Sequence, residues 1–456
     1  MGTKRQRVIL LTRKYGGEFG ATDSRLNSYA GALQNEGAEV IILTRFPFVY
    51  PGHQEKTRYA RRLYLRERID GVTVLRARIP GQFGLERLLD RALRLRARLR
   101  RDGGRSTMGI EVIDLLYGLL ALPFIVLLRP YTVVAELGPA WLAVPLALSR
   151  RFGLGPPLLL QISDVKSLAM LRGHWGAVPA AQIDLNTRIE AVVYRHASSI
   201  VTVTEAQRAH IAAHLGTDQE EVHLIPNGAE VDLFPSIDAM EKQSYKRRLG
   251  LDGKFVALYA GTLNSSHDVQ TLLAAARLLR HVPDIAFLVL GQGPVEHELR
   301  TTAAHWRLDN VTFCRPVPVA MLPPFVAAAD AGISTEIGGL IDTVRSKVYL
   351  YMAGRLAVVA TDDESGVRAL VKRAGCGELV PPGDATAIAE RLLDLKRDPA
   401  RVAALGASGR RFVERHHDRA ELARNFARLV LRGARPASAE WKPLGARLGE
   451  PRPEAD

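Results

Sequence analysis

Short, almost wholly apolar runs recur along this 456-residue chain, each separated from the next by room for a helix. Arg7 to Thr12, Glu39 to Thr44, Thr132 to Ala135, Pro157 to Ile162 and Ser199 to Val203 have the composition of strands covered on both faces, and a helix is predicted from about Ser24 to Asn35. Strands that are apolar on both sides need cover on both sides, which the helices of parallel crossovers supply. The pattern restarts after Leu224-Ile225-Pro226-Asn227-Gly228, with Phe255 to Ala260, Ala286 to Gly291, Val311 to Cys314, Ala331 to Ser334 and Ala357 to Ala360. Helices are predicted over 269–279, 294–306, 321–329, 346–353, 365–374, 384–396 and 419–432. The expected fold class is α/β, with two Rossmann-like doubly wound domains over 1–228 and 229–432, facing across a cleft. Ligands of such sheets bind outside the carboxyl ends of the strands, so a shared substrate is expected in that cleft. The tail 433–456, rich in Pro, Ala, Arg and Glu, is expected to be disordered.

Several classes are excluded. The two cysteines, Cys314 and Cys376, form no CxxC or ligand cluster, which argues against a disulfide framework or structural zinc and for a reducing cytosol. No HExxH, DxD or metal-spaced His/Asp cluster occurs, so neither a metal nor a resident cofactor is expected. The greasiest run, Leu115 to Leu128, is closed by Arg129-Pro130. It is shorter than the ~20 residues that a bilayer span needs, and no membrane-spanning segment is expected.

The net charge of +14 is unevenly spread. Residues 54–105 hold 16 Lys+Arg against 6 Asp+Glu. Within 85–105, Leu85, Leu88, Ala92, Leu95 and Leu99 recur at helical spacing while arginines fill the other faces. A basic amphipathic helix suits an anionic membrane surface, at about 1 kcal/mol per basic residue close to lipid. The alternative is a solvated helix in a chain whose basic residues are mostly arginine. No aromatic residues interleave with these arginines, so a nucleic-acid partner is not expected.

Four local patterns carry chemistry, each with a structural alternative. Gly17 and Gly20, in the loop after the first strand, let a ligand approach the backbone at a helix N-terminus; a tight turn explains them equally. Gly291 and Gly293, in Gly291-Gln292-Gly293-Pro294, also follow a strand and open a helix, but lack the third glycine of a dinucleotide fingerprint. Arg345-Ser346-Lys347 opens a helix, where Ser346 is placed to cap and the cations to address a diphosphate; solvated cations flanking a cap are the alternative. Asp164 directly follows a buried strand, where a carboxylate can orient or deprotonate an acceptor hydroxyl, or close an Asx turn.

In order along the chain, these pieces resemble a family-4 (GT4) glycosyltransferase of GT-B architecture. Gly17-Glu18-Phe19-Gly20-Ala21 and Leu43-Thr44-Arg45-Phe46-Pro47 are similar to the opening of the bacterial surface-polysaccharide transferases of fucosamine type. Ile225-Pro226-Asn227-Gly228-Ala229-Glu230-Val231-Asp232-Leu233-Phe234 resembles the family's IPNGVDxxxF junction. Tyr259-Ala260-Gly261, Leu290-Gly291-Gln292-Gly293-Pro294, Ser346-Lys347 with Tyr351-Met352-Ala353, and Val380-Pro381-Pro382-Gly383-Asp384 follow in register, so the resemblance spans about 7–430. It implies transfer of a sugar from a nucleotide-sugar donor to a glycan or lipid-linked acceptor, with retention and without a bound metal. The C-terminal domain would hold the nucleotide and the N-terminal domain the acceptor, at the cytoplasmic face of the membrane. Carried over, Gly17, Gly20, Gly261, Gly291, Gly293, Arg345, Ser346 and Lys347 fall on the donor side, with Lys347 on the diphosphate, and Asp164 serves the acceptor.

The sequence departs from the family at definite places. The glutamate of SKxxEYMA that binds the donor ribose is Leu350, with Asp342 where the fuller motif has its other Glu, and the branch's DLWP reads Asp164-Val165-Lys166-Ser167. Leucine accepts no hydrogen bond, so one ribose contact is missing. The alternative function that Leu350 favours is a catalytically degenerate homologue serving as a binding or partner subunit.

Overall fold

The structure, a computed structural model, describes residues 5–15, 21–46, 62–78, 108–137, 140–171, 178–337, 344–361 and 366–432. Gly17, Gly20, Asp342, the basic segment 85–105 and the tail 433–456 lie outside the described residues. Contacts divide the chain into two units, one of residues 1–15, 29–226 and 423–456, the other of 16–28 and 227–422. The units are discontinuous in sequence, and the sequence pattern gives no sign of either exchange.

Among the described residues the first unit holds eight strands: β1 (Arg7–Leu11), β2 (Glu39–Arg45), β3 (Tyr64–Ile69), β4 (Val72–Ala77), β5 (Thr132–Leu137), β6 (Leu158–Ile162), β7 (Ser199–Thr202) and β8 (Val222–Leu224). Their order is β3-β4-β2-β1-β5-β6-β7-β8, with every pairing parallel except the β3–β4 hairpin. The chain leaves β1 for β2 on one side and later returns to β5 on the other. The topological switch point therefore lies at the carboxyl ends of β1 and β5. Phe426, on the Arg419–Leu431 helix, stacks on Tyr29 with ring centroids 3.8 Å apart.

The Met108–Leu128 helix is longer than the expected apolar run because its first turns carry charge inward. Ile113, Tyr117, Ala121 and Ile125 enter the sheet core, while Glu111 and Asp114 on the same side are fully buried. Glu111 pairs with Lys166 at 2.5 Å, and Asp114 lies 3.1 Å from Arg13 and 3.8 Å from Arg45. Burial holds the Asp114 carboxyl above its usual range and opposes the pull of both arginines. By length and composition this helix is apolar enough to cross a bilayer; in the unit its inner side covers the sheet.

The second unit holds β9 (Phe255–Ala260), β10 (Ile285–Leu290), β11 (Val311–Cys314), β12 (Ala331–Ser334), β13 (Ala357–Thr361) and β14 (Gly377–Val380). The order β11-β10-β9-β12-β13-β14 is parallel throughout and places its switch point between β9 and β12. Two apolar clusters cover the two faces, one containing Val348, Tyr351 and Met352 and the other Leu272, Phe287 and Leu392.

Candidate active site

The switch point of the second unit is built from loops that bind each other. Past β9, Tyr259 donates its hydroxyl to Thr262 O at 2.8 Å, and Asn264 caps a short turn by accepting from His267 N at 3.0 Å. Past β12, Thr335 donates to His267 O at 2.7 Å and Ile337 N to Ser266 O at 3.1 Å. Glu336 N donates to Thr361 Oγ1 at the end of β13, at 3.0 Å. The stretch bearing Glu336 is thus fixed from both neighbouring strands.

Two cations meet on this carboxylate. Arg345 Nε lies 3.3 Å from Glu336 Oε2, and Lys347 Nζ 3.1 Å from Oε1. Lys347 belongs to the first turn of the Ser346–Ala353 helix, and its ammonium sits 4.6 Å from the centre of the Tyr259 ring. Burial lowers the Lys347 pKa; Glu336 opposes that shift and Arg345 adds to it. Among the described residues, one carboxylate meets two cations here, a positive surplus that suits an anionic group. Glu336 was invisible in the sequence, where a single Glu past a strand makes no pattern.

The glycines divide into two kinds. A Cβ on Gly291 would stand 1.9 Å from Gly261 O, and one on Gly293 2.1 Å from Leu263 O. Here the protein's own backbone demands glycine, because Gly261 N donates to Leu290 O at 3.0 Å and Leu263 N to Gln292 O at 2.9 Å, drawing the two loops together. A Cβ on Gly261 meets only Tyr259 Oη at 3.7 Å and Lys347 Cδ at 3.8 Å, which is ordinary contact. Nothing in the fold requires glycine there.

Ser346 is not the cap that the sequence suggested. It is the first residue of its helix; Arg345 takes the cap position and makes no side-chain capping bond. Leu350, one turn on, packs against the apolar cluster and presents no polar atom. Its neighbour Tyr351 is structural: its hydroxyl donates to Ile333 O at 3.0 Å and accepts from Ala260 N at 2.9 Å, tying β9 to β12. Gly332 leaves room for that ring, since a Cβ there would lie 2.2 Å from it.

The junction motif is also structural. Gly228 passes so close to His417 O that a Cβ would stand 2.1 Å away, and His417 Nδ1 donates to Asn227 O at 2.9 Å. Arg25 Nη1 donates to Asn227 Oδ1 at 3.1 Å.

At the first unit's switch point, Thr12 donates to Glu136 Oε2 at 2.7 Å, joining the ends of β1 and β5. Asp164 lies two residues past β6, the next strand along, with its side chain exposed. Of these three residues, only Asp164 stands out in the sequence.

Comparison with known proteins agrees with this geometry. Residues 20–228 match the glycosyl transferase 4-like domain, and residues 254–398 match the glycosyl transferases group 1. A GDP-mannose-dependent alpha-(1-6)-phosphatidylinositol monomannoside mannosyltransferase of Mycolicibacterium smegmatis is 28% identical over 285 residues, 59% of this chain and 70% of its own. The 2-deoxystreptamine glucosyltransferase of Streptomyces kanamyceticus is 26% identical over 396 residues, 84% of this chain and 91% of its own. Among solved structures, a sucrose-phosphate synthase of Thermosynechococcus elongatus superposes with TM-score 0.66 at 18% identity, covering 94% of this chain and 99% of that one. HepE of Anabaena in complex with UDP-glucose superposes with TM-score 0.64 at 15% identity, covering 94% and 100%. The two domain matches and the shared fold agree: the chain belongs to the group 1, GT4-like glycosyltransferases of GT-B fold.

Proposed function

We propose that this glycosyltransferase moves a sugar from a nucleotide-sugar donor to a hydroxyl of a glycan or lipid-linked acceptor, with retention of configuration. The observation that carries this reading is the pair of cations, Arg345 and Lys347, converging on the single carboxylate of Glu336 at the β9/β12 switch point. In transfer, the bond from the anomeric carbon to the diphosphate oxygen breaks and a bond to the acceptor oxygen forms on the same face. The acceptor proton passes to the departing diphosphate. Preorganised charge from Arg345 and Lys347 stabilises the leaving group, and Asp164 orients the acceptor hydroxyl. The names of the relatives, a GDP-mannose-dependent enzyme of an inositol lipid and a glucosyltransferase of 2-deoxystreptamine, support a nucleotide-sugar donor and a polyhydroxylated acceptor.

The setting proposed is cell-surface polysaccharide synthesis by an enzyme of the fucosamine-transferase type, peripheral at the inner face of the cell membrane. The basic segment 85–105 supports the membrane contact. So do Val126, Leu127, Phe152 and Leu154, which leave apolar side chains 65–79% exposed on the first unit. Sedimentation with liposomes, with and without anionic lipid, tests this; failure to bind at any salt concentration removes it.

The function is tested by calorimetric titration of UDP, GDP, ADP and dTDP into the full-length protein. Binding of one of them in the micromolar range is expected and fixes the donor class for a screen of its sugars. A second reading, a degenerate partner subunit, is favoured by the apolar packing of Leu350. It takes first place if no nucleotide binds.

A further inference from the structure

The exposed carboxylate of Asp164 is carried by a stretch that three helices hold from below. On its near side, Ser163 O accepts from Gln207 Nε2 of the Glu205–Leu215 helix at 3.0 Å, and Gln207 is itself held by Thr202 Oγ1 at 2.7 Å. On its far side, Lys166 Nζ meets Glu111 Oε1 of the Met108–Leu128 helix at 2.5 Å. One residue further, Ser167 gives both its backbone N–H, at 3.1 Å, and its hydroxyl to the Glu190 carboxylate of the Ala180–Arg195 helix. Lys166, Ser167, Glu111 and Glu190 are all buried, while Asp164 between them reaches solvent.

Buried charge is an expensive way to hold a loop. Apolar side chains of the same volume would secure it at least as firmly, because each buried ion forfeits its hydration. What ionic pairing adds is direction: a hydrogen-bonded pair tolerates only a narrow range of distances and angles.

We propose that Lys166, Glu111 and Glu190 are positioning residues that fix the 163–167 backbone so that the Asp164 carboxylate is presented to the acceptor hydroxyl in one orientation. The inference rests on the acceptor role given to Asp164. It is tested in the full-length protein with the double variant Lys166→Met/Glu111→Leu, which replaces the pair by apolar side chains; Glu190 keeps its two hydrogen bonds from Ser167 but loses the Lys166 charge that faces it. Ser167→Ala, which removes a single hydroxyl contact to Glu190, serves as a milder second variant.

The double variant is expected to remain folded, with a melting temperature lowered by no more than the loss of the Lys166 charge facing Glu190 accounts for. Its amide exchange across 163–167 rises about tenfold, with the remaining core unchanged. With the donor identified by the nucleotide titration, kcat falls on the order of 10²-fold while nucleotide affinity stays the same. Ser167→Ala moves the same quantities less. A folded double variant with parental exchange at 163–167, or with faster exchange and parental kcat, overturns the proposal. Asp164→Asn is measured beside it. If that variant keeps full turnover, or if the parent binds no nucleotide, the reading beneath the inference fails. If Asp164→Asn is slow and the folded double variant is not, the positioning role alone fails.

Discussion

Each unit buries a lysine–glutamate pair at the carboxyl edge of its parallel sheet, and the two pairs are balanced differently. In the first, Lys166 lies against Glu111, with Gln182 Nε2 reaching the same oxygen at 3.4 Å, and the nearby Asp114 is itself met by Arg13 and Arg45 at 3.1 and 3.8 Å. In the second, Lys347 shares Glu336 with Arg345. Burial lowers the pKa of both lysines, with the glutamate opposing the shift in each case. The difference lies in what the arginines face: in the first, Arg13 and Arg45 meet a second carboxylate, Asp114, whereas in the second Arg345 shares Glu336 with the lysine. A lysine that has a carboxylate to itself holds shape. A pair that is short of one anion holds shape and also has something to offer a ligand.

The largest difference should appear in stability. Lys166→Ala strands Glu111 in the core, and breaking a buried pair from one side costs about 3–5 kcal/mol. Lys347→Ala leaves Glu336 with Arg345, so the loss in a urea titration should be clearly smaller. Equal losses would mean that the two pairs do the same job and that the distinction is false.

Nucleotide binding should reverse that order. Removing Lys347 takes one charge-assisted contact from a diphosphate, worth about 1.5–3 kcal/mol, or on the order of 10–100-fold in affinity. The folded Lys166→Met/Glu111→Leu variant should bind nucleotide like the parent. Unchanged affinity in Lys347→Ala would remove it from the donor site and leave Arg345 as the cation to examine.

Glycines separate the same two roles within one loop pair. Gly291→Ala forces a Cβ to 1.9 Å from a backbone oxygen and should cost about 1–3 kcal/mol of stability. Gly261→Ala finds ordinary contact distances, so its melting temperature should stay within a degree or two. Its nucleotide affinity should fall if the donor passes over that backbone. Loss of stability without loss of affinity at Gly261 would move it to the structural group.

What could be read from the sequence, and what could not, follows the range of the interactions. Strands buried on both faces announce themselves by composition, and β1, β9 and β13 needed nothing more. The β3–β4 hairpin did not: β3 alternates exposed and half-buried residues, with Arg66, Glu67 and Arg68 in a row, because it is an edge strand. The Pro399–His416 helix is absent from the sequence expectations, and its composition, with Pro399, Gly406 and Gly409, is not that of a typical helix. Pro399 sits at the first helical position, where proline is tolerated. The glycines allow close approach, since a Cβ on Gly406 would lie 2.1 Å from Arg355 O and one on Gly409 2.9 Å from Cys376 Cβ. At the candidate site, Arg345 and Lys347 were found as neighbours on a helix start. Glu336 and Glu111 were not, because each meets its lysine only after the chain has folded, 55 residues apart for Glu111 and Lys166.

The smallest effect is a shift along the pH axis, and it bears on the surplus of charge itself. A diphosphate is attracted by protonated Lys347, whose pKa is held below the ordinary lysine value, first by burial and then by Arg345. Nucleotide affinity should therefore be flat near neutrality and decline as pH rises through that lowered pKa, earlier than an exposed lysine near 10.4 would allow. Bound diphosphate favours the charged form, so the decline should begin at higher pH as nucleotide is raised toward saturation. Lys347→Arg keeps the charge at any accessible pH, because guanidinium does not titrate below about 12. Its alkaline limb should be absent, even if its neutral affinity is lower from imperfect fit. If parent and Lys347→Arg lost nucleotide along the same alkaline curve, the titrating group would lie elsewhere, and Lys347 would hold Glu336 in place without touching the donor.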